Sequence, residues 1–130
     1  MIVDSSAVLA VLLDEPEAEE FSVLLVDHPT RISAANWLEA AMVAESSRNP
    51  TTARSFDRMI EVTQTRIEPV TAAQARTARA AFRRYGRGSG SPARLNFGDC
   101  FAYALAAETG EPLLFKGDDF PHTDVPAARG

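Results

Sequence analysis

The chain has a single cysteine, Cys100, a single lysine, Lys116, and two histidines, His28 and His122. One thiol cannot close an intramolecular disulfide, and with two imidazoles it falls short of the four ligands of a structural zinc site. Long hydrophobic runs are absent. The longest apolar stretch, Ala7 to Leu13, is far below the ~20 residues that span a bilayer, so no membrane association is expected. No charged segment precedes it and no small-residue cleavage site follows it, so a secretory signal is not expected and the cytoplasm is the expected compartment. Positive charge is also short: 13 Lys and Arg stand against 18 Asp and Glu, a net charge of −5. That excludes a uniformly basic nucleic-acid binder but leaves room for a local basic face.

What is present suits one soluble domain over residues 1–130. With 45% hydrophobic and 24% charged residues, the chain can bury roughly two-thirds of its accessible surface in one core without a covalent or metal staple. The charge is uneven. Asp14, Glu15, Glu17, Glu19 and Glu20 form an acidic run, whereas Pro69 to Gly98 holds no acid and six arginines: Arg76, Arg79, Arg83, Arg84, Arg87 and Arg94. That segment carries +6 and the rest of the chain −11. It reads either as a solvated helix face or as a surface where guanidinium forks contact phosphates.

Helical and strand signals alternate. Met1 to Val3 reads as a buried strand ended by Asp4, and Ser5 or Ser6 is expected to cap a helix over Ala7 to Leu13. That helix is apolar all round, which predicts deep burial or a partner, as do Trp37 and Phe56. Pro16 suits the first turn of a second helix carrying Phe21, Leu24 and Leu25. Arg31 to Ser33 is a short strand, with Ser33 or Asn36 capping a third helix to about Ser46. A fourth helix runs from Thr51 or Thr52 to about Val62. Ile67 to Val70 is a proline-bearing strand suited to a sheet edge. Thr71 caps a fifth helix to about Tyr85, and GRGSGSP (86–92) is a loop. A sixth helix covers Phe97 to Glu108 and stops at Gly110. Leu113 to Phe115 is a strand, with Val125 expected in a further one. This alternation predicts an α/β fold whose parallel sheet is covered on both faces.

In such sheets ligands bind beyond the carboxyl ends of the strands. Asp4 ends the first strand, and Asp118 and Asp119 follow the strand at 113–115. Asp99 lies in the first turn of the sixth helix, where it either offsets the helix dipole or serves a site. Glu39 sits in an otherwise apolar segment, facing solvent or acting as an acid at a site. Together these acids suggest a cluster that stays ionised only with a counter-charge, and hard oxygen ligands with retained waters suit Mg²⁺ or Mn²⁺. Such a site can activate water toward a phosphodiester. Neither a Walker lysine nor a dinucleotide fingerprint competes with it.

Four segments, Met-Ile-Val-Asp-Ser-Ser-Ala (1–7), Asn-Trp-Leu-Glu (36–39), Leu-Asn-Phe-Gly-Asp-Cys-Phe-Ala-Tyr-Ala-Leu-Ala (95–106) and Pro-Leu-Leu-Phe-Lys-Gly-Asp-Asp-Phe (112–120), resemble PIN-domain proteins over essentially the whole chain. More narrowly, they resemble VapC toxins of bacterial type II toxin–antitoxin modules. The resemblance implies a three-layer α/β/α sandwich around a small parallel sheet of four to five strands. It further implies a Mg²⁺- or Mn²⁺-dependent endoribonuclease, a cognate VapB-type antitoxin and a homodimer. The family's acids map onto Asp4, Glu39 and Asp99, with Asp4 and Asp99 the metal ligands and Ser6 supporting the first. Members often place a fourth acid eighteen residues after the third. Here that position is Gly117, leaving Asp118 or Asp119 for the role. The six arginines are the candidate RNA contacts. The missing acid at Gly117 also supports a rival reading, a non-catalytic interaction module. A DNA-directed nuclease of the same fold is the second rival.

Overall fold

The computed structural model describes residues 1–129. Four short parallel strands, β1 (Ile2–Val3), β2 (Arg31–Ser33), β3 (Arg66–Glu68) and β4 (Leu113–Leu114), form a sheet in the order β3-β2-β1-β4. Six helices surround it: α1 (Ser5–Leu12), α2 (Ala18–Asp27), α3 (Ala34–Glu45), α4 (Thr52–Thr63), α5 (Ala72–Tyr85) and α6 (Phe97–Thr109). A 3-10 turn follows at Phe120–His122.

The period of two in a strand explains the layering. Ile2 and Leu113 point to one face, where they pack with Tyr85, Leu95, Tyr103 and Leu105 of the α5–α6 layer. Val3, Ile32 and Leu114 are buried in the opposite cluster with Ala7, Phe21, Leu25, Ala40 and Phe56. The result is the expected three-layer α/β/α arrangement. The apolar first helix is mostly core: Ala7, Val8 and Ala10 are buried, and only its C-cap, Leu13, is half exposed. Phe56 is buried too, with its ring centroid 6.0 Å from that of the half-buried Trp37.

Several local expectations shift. α1 begins at Ser5 because Asp4, not a serine, supplies the cap, its carboxylate accepting from Ser6 N at 3.0 Å. Pro16 lies before α2, which starts at Ala18. Ser33 rather than Asn36 caps α3. The third strand is Arg66–Glu68 rather than 67–70: Arg66 N bonds to Thr30 O and opens the ladder, and Pro69, with no N–H, closes it. It is an edge strand, as its proline requires. Val125 is in no strand. The pairing beside β4 is a single bridge between Leu113 and Ala127, where Pro126 can accept from Leu113 N but cannot donate.

α5 and α6 form an antiparallel hairpin. Tyr85 O accepts from Leu95 N at 3.0 Å and Arg87 N donates to Leu95 O at 3.0 Å, which holds the end of α5 against the start of α6. At the other end Gln74 Nε2 donates to Glu108 at 2.6 Å. The basic C-terminal turn of α5 is therefore brought to the N-terminus of α6.

Candidate active site

Parallel strands deliver their carboxyl ends to one edge of the sheet. Asp4 follows β1 directly and is 3% exposed. One oxygen, Oδ2, accepts from Ser6 N; the other, Oδ1, is buried and has no hydrogen-bond partner. Burial pushes the carboxyl pKa from 3.8 up to about 7; bonds from Ser6 oppose the rise, and the charges of Asp99 and Glu39 add to it. A buried acceptor left unmatched beside two further acids is costly unless something else completes it.

Asp99 serves two purposes at the start of α6. Its Oδ2 accepts from Asn96 N at 3.0 Å while Asn96 Oδ1 accepts from Asp99 N at 2.9 Å, a reciprocal capping box. Its pKa is raised, first by burial and then by the charges of Asp119 and Glu39; the Asn96 bond and the Arg87 guanidinium act the other way. The helix-terminus explanation holds, and the residue also lies beside Glu39 and Asp119, as a site would require.

Glu39 turns inward from α3. The Ser5 hydroxyl donates to its Oε1, and Asn36 Nδ2 lies 3.5 Å from the same oxygen while donating to Gly98 O at 2.9 Å. Asn36 is fully buried and ties α3 to α6. At Gly98 an added Cβ would sit 2.4 Å from Glu39 Oε2, so only glycine leaves room for the carboxylate beside Asp99. Ser5, Asn36 and Gly98 lie inside the four motif segments, where Ser5 and Asn36 read only as candidate caps and Gly98 has no assigned role; together they set the place of the Glu39 carboxylate. The signal that could have found Gly98 was a glycine inside a helix's first turn, where it lowers helix propensity for no local gain.

Backbone geometry separates the two candidates for a fourth acid. Gly117 has φ +115°, a conformation L side chains rarely adopt, so the chain turns there without a carboxylate. Asp119, partly buried at the start of the 3-10 turn, is the acid whose charge reaches Asp99, whereas Asp118 is exposed. Ser6 supports the first acid through its backbone N–H, and its hydroxyl accepts from Lys116 N at 3.0 Å, locking the β4 exit onto α1.

The six arginines are all exposed but not equivalent. Arg87 acts on Asp99, and Arg79 faces a cleft between α5 and α6. Arg84 is drawn aside, 3.9 Å from Asp124 and stacked over Tyr85. Arg76 lies toward the far end of α5, near the end that Gln74 holds. Arg83 is in the last turn of α5, and Arg94 precedes α6 with φ +53°.

The donor set fits a hard divalent cation: an unmatched buried Asp4 oxygen, a free Asp99 oxygen, and Glu39 and Asp119 close enough to raise the energy of ionisation. Among the described residues no group of three or more His, Cys, Asp or Glu side chains is already arranged as a metal site. Among the described residues no helix is long and apolar enough to cross a membrane.

Comparison with known proteins identifies the family. The model of the family described as "PIN domain" matches residues 1–126. Ribonuclease VapC28 of Mycobacterium tuberculosis is 51% identical over 129 residues, covering 98% of this chain and 97% of the relative. Ribonuclease VapC42 of the same species is 48% identical over 126 residues, covering 96% of each. VapC ribonuclease Mb0640 of Mycobacterium bovis is 45% identical over 126 residues, covering 96% of this chain and 95% of the relative. The chain belongs to the PIN-domain family and, within it, to the VapC ribonucleases.

Proposed function

We propose that this chain is the toxin of a type II toxin–antitoxin pair, a Mg²⁺-dependent endoribonuclease in which Mn²⁺ can substitute, neutralised by a cognate VapB-type antitoxin and acting in the cytoplasm as a homodimer. The observation that carries the nuclease reading is the unmatched Asp4 Oδ1, buried among the carboxylates of Asp99 and Glu39. The relatives named ribonucleases over nearly their whole length support it.

Asp4 and Asp99 are the carboxylates that would hold the ion, with Asp119 completing the acidic cluster. When bound, the ion supplies the charge that lowers the pKa of an attacking water and neutralises the phosphodiester oxygens. The residues of the chain do the rest. Ser5 and Asn36 hold Glu39 in one orientation over Gly98, where it can order a water or take its proton. The capping box fixes Asp99, so its free oxygen does not wander. Arg87, at the mouth beside Asp99, orients the phosphate backbone, and the exposed Arg79, Arg83 and Arg94 extend the basic approach.

The test is a cleavage assay on matched single-stranded RNA and DNA oligonucleotides in Mg²⁺, since the 2′-OH distinguishes the two substrates. RNA is cut by the wild type, DNA is not, and Asp99→Asn cuts neither. Equal cleavage of RNA by Asp99→Asn would contradict the site, and preference for DNA would favour the DNA nuclease reading.

A further inference from the structure

The α5–α6 hairpin leaves open an apolar cleft of about 460 Å³ that the cleavage site does not account for. Its walls are Ala78 and Phe82 of α5 and Phe97, Cys100 and Phe101 of α6, with Arg79 among the lining residues. Phe97 is 79% exposed and Phe82 47%. Phe97 and Phe101 pack edge to face, ring centroids 4.8 Å apart at 80°, and most of the Phe97 side chain stays open to solvent. It is the first residue of α6, next to Gly98, which touches Glu39, and one helical turn or less from Asp99.

Two occupants suit an apolar cleft with aromatic walls: a second copy of the chain or an unstacked base. The surrounding charge decides between them. Arg76, Arg79 and Arg83 stand on α5 with no acid on that helix, Arg84 is paired with Asp124, and Arg87 follows immediately. A symmetric pairing through this cleft would bring two such helices together, like charge against like. A nucleic acid strand supplies both complements at once, a flat π-face for Phe97 and a phosphate for the guanidinium groups.

We propose that this cleft is a base-binding subsite, in which Phe97 stacks on an unpaired base of single-stranded RNA neighbouring the nucleotide that carries the scissile phosphate. The inference rests on the ribonuclease reading above and adds where the strand lies. Phe97 and Asp99 leave opposite sides of the first turn of α6, so the strand passes over the tip of that helix. Its scissile phosphate lies on the Asp99 side and the neighbouring base on the α5 side. Arg79 and Arg87 take the phosphates on either side of that base. Selection of a cut site by this chain thereby includes a preference for an accessible, stackable base at one fixed position.

The experiment uses the full chain and a single-stranded RNA oligonucleotide that the wild type cuts at one site, together with a set in which one base at a time is removed. Phe97→Ala raises KM roughly tenfold or more with kcat little changed, as loss of one base stack implies. Phe97→Tyr keeps the wild-type KM, whereas Phe97→Leu, equally apolar but unable to stack, resembles Phe97→Ala. Removing the base at one position costs the wild type as much as Phe97→Ala and costs Phe97→Ala little more. Phe97 is exposed, so the thermal midpoint stays within a degree or two and loss of fold does not mimic the effect. A Phe97→Leu protein as good as the wild type would overturn the subsite, as would equal penalties for base removal in wild type and Phe97→Ala. A fall in molar mass of Phe97→Ala with the same loss on every oligonucleotide would overturn it in favour of a second copy. A wild type that cuts no RNA would overturn the nuclease reading and the subsite with it, whereas failure of the Phe97 series alone leaves the nuclease reading standing.

Discussion

The two ends of the small sheet treat carboxylates in opposite ways. At the amino end, Glu111 lies between the N-terminal ammonium of Met1, 2.5 Å away, and the guanidinium of Arg31. Its pKa is lowered, chiefly by the hydrogen bond from the chain terminus. At the carboxyl end, the buried Asp4 and the half-buried Asp99 lie beside Glu39 and Asp119 with Arg87 as the nearby cation, and their pKa values rise. The same sheet thus completes its charges at one edge and leaves them incomplete at the other. A fold optimised only for stability would not retain the second arrangement, since an unmatched buried carboxylate destabilises it. The difference is the one that the proposed cation site at the carboxyl edge requires.

Asp4→Asn breaks the comparison most sharply, because its effects on stability and activity have opposite signs. Folded Asp4 keeps its proton up to about pH 7, whereas an unfolded chain releases it near 3.8. Between those values the metal-free fold gains stability as pH falls, and above pH 7 it carries the full cost of the buried charge. That cost is roughly 4 kcal/mol at about 1.4 kcal/mol per pKa unit. At pH 8 without divalent ions, Asp4→Asn therefore raises the denaturation midpoint while RNA cleavage in Mg²⁺ is lost. A lower midpoint for Asp4→Asn than for wild type in calorimetry at pH 8 would contradict the account.

Gly98→Ala acts on the same edge without removing any acid. The new methyl group drives the Glu39 carboxylate from its place beside Asp99, and cleavage falls about 10- to 100-fold, the scale for losing a group that orients a metal site. Single-turnover rates against the Ser5→Ala variant sharpen this, since Ser5→Ala removes only the hydroxyl that holds Glu39 and costs less.

Glu111→Gln perturbs the opposite edge and has the smallest effect. A partly exposed pair contributes about 1 kcal/mol or less. Because its folded pKa is depressed, Glu111 stabilises the wild type above its ordinary value of 4.5, and that contribution fades as pH falls through the folded pKa. Chemical denaturation at pH 7 then shows a slightly lower midpoint for Glu111→Gln, with the RNA cleavage rate unchanged. A loss of cleavage would mean that the two edges are coupled.

Much of this was legible from local pattern. Asp4 at the end of an apolar triplet and Asp99 at a helix start were readable because strand ends and helix caps have sequence signals. Glu39 was readable as a charge among apolar neighbours but not its direction, because that depends on Ser5 and Gly98, 34 and 59 positions away. The choice between Asp118 and Asp119 was closed to sequence. The backbone at Gly117 turns through φ +115° and carries one acid toward Asp99 and the other toward solvent. The arginines looked alike in sequence. Arg84 differs only because α5 packs against α6 and brings Asp124 within 3.9 Å.

The claim that the carboxyl edge is completed by a cation is tested most directly by calorimetric titration of Mn²⁺ into the wild type and Asp4→Asn at pH 6. The account predicts saturable binding by the wild type with release of protons, because the ion displaces a proton that Asp4 holds at that pH, and no comparable binding by Asp4→Asn. No binding by the wild type, or equal binding by both proteins, would contradict it.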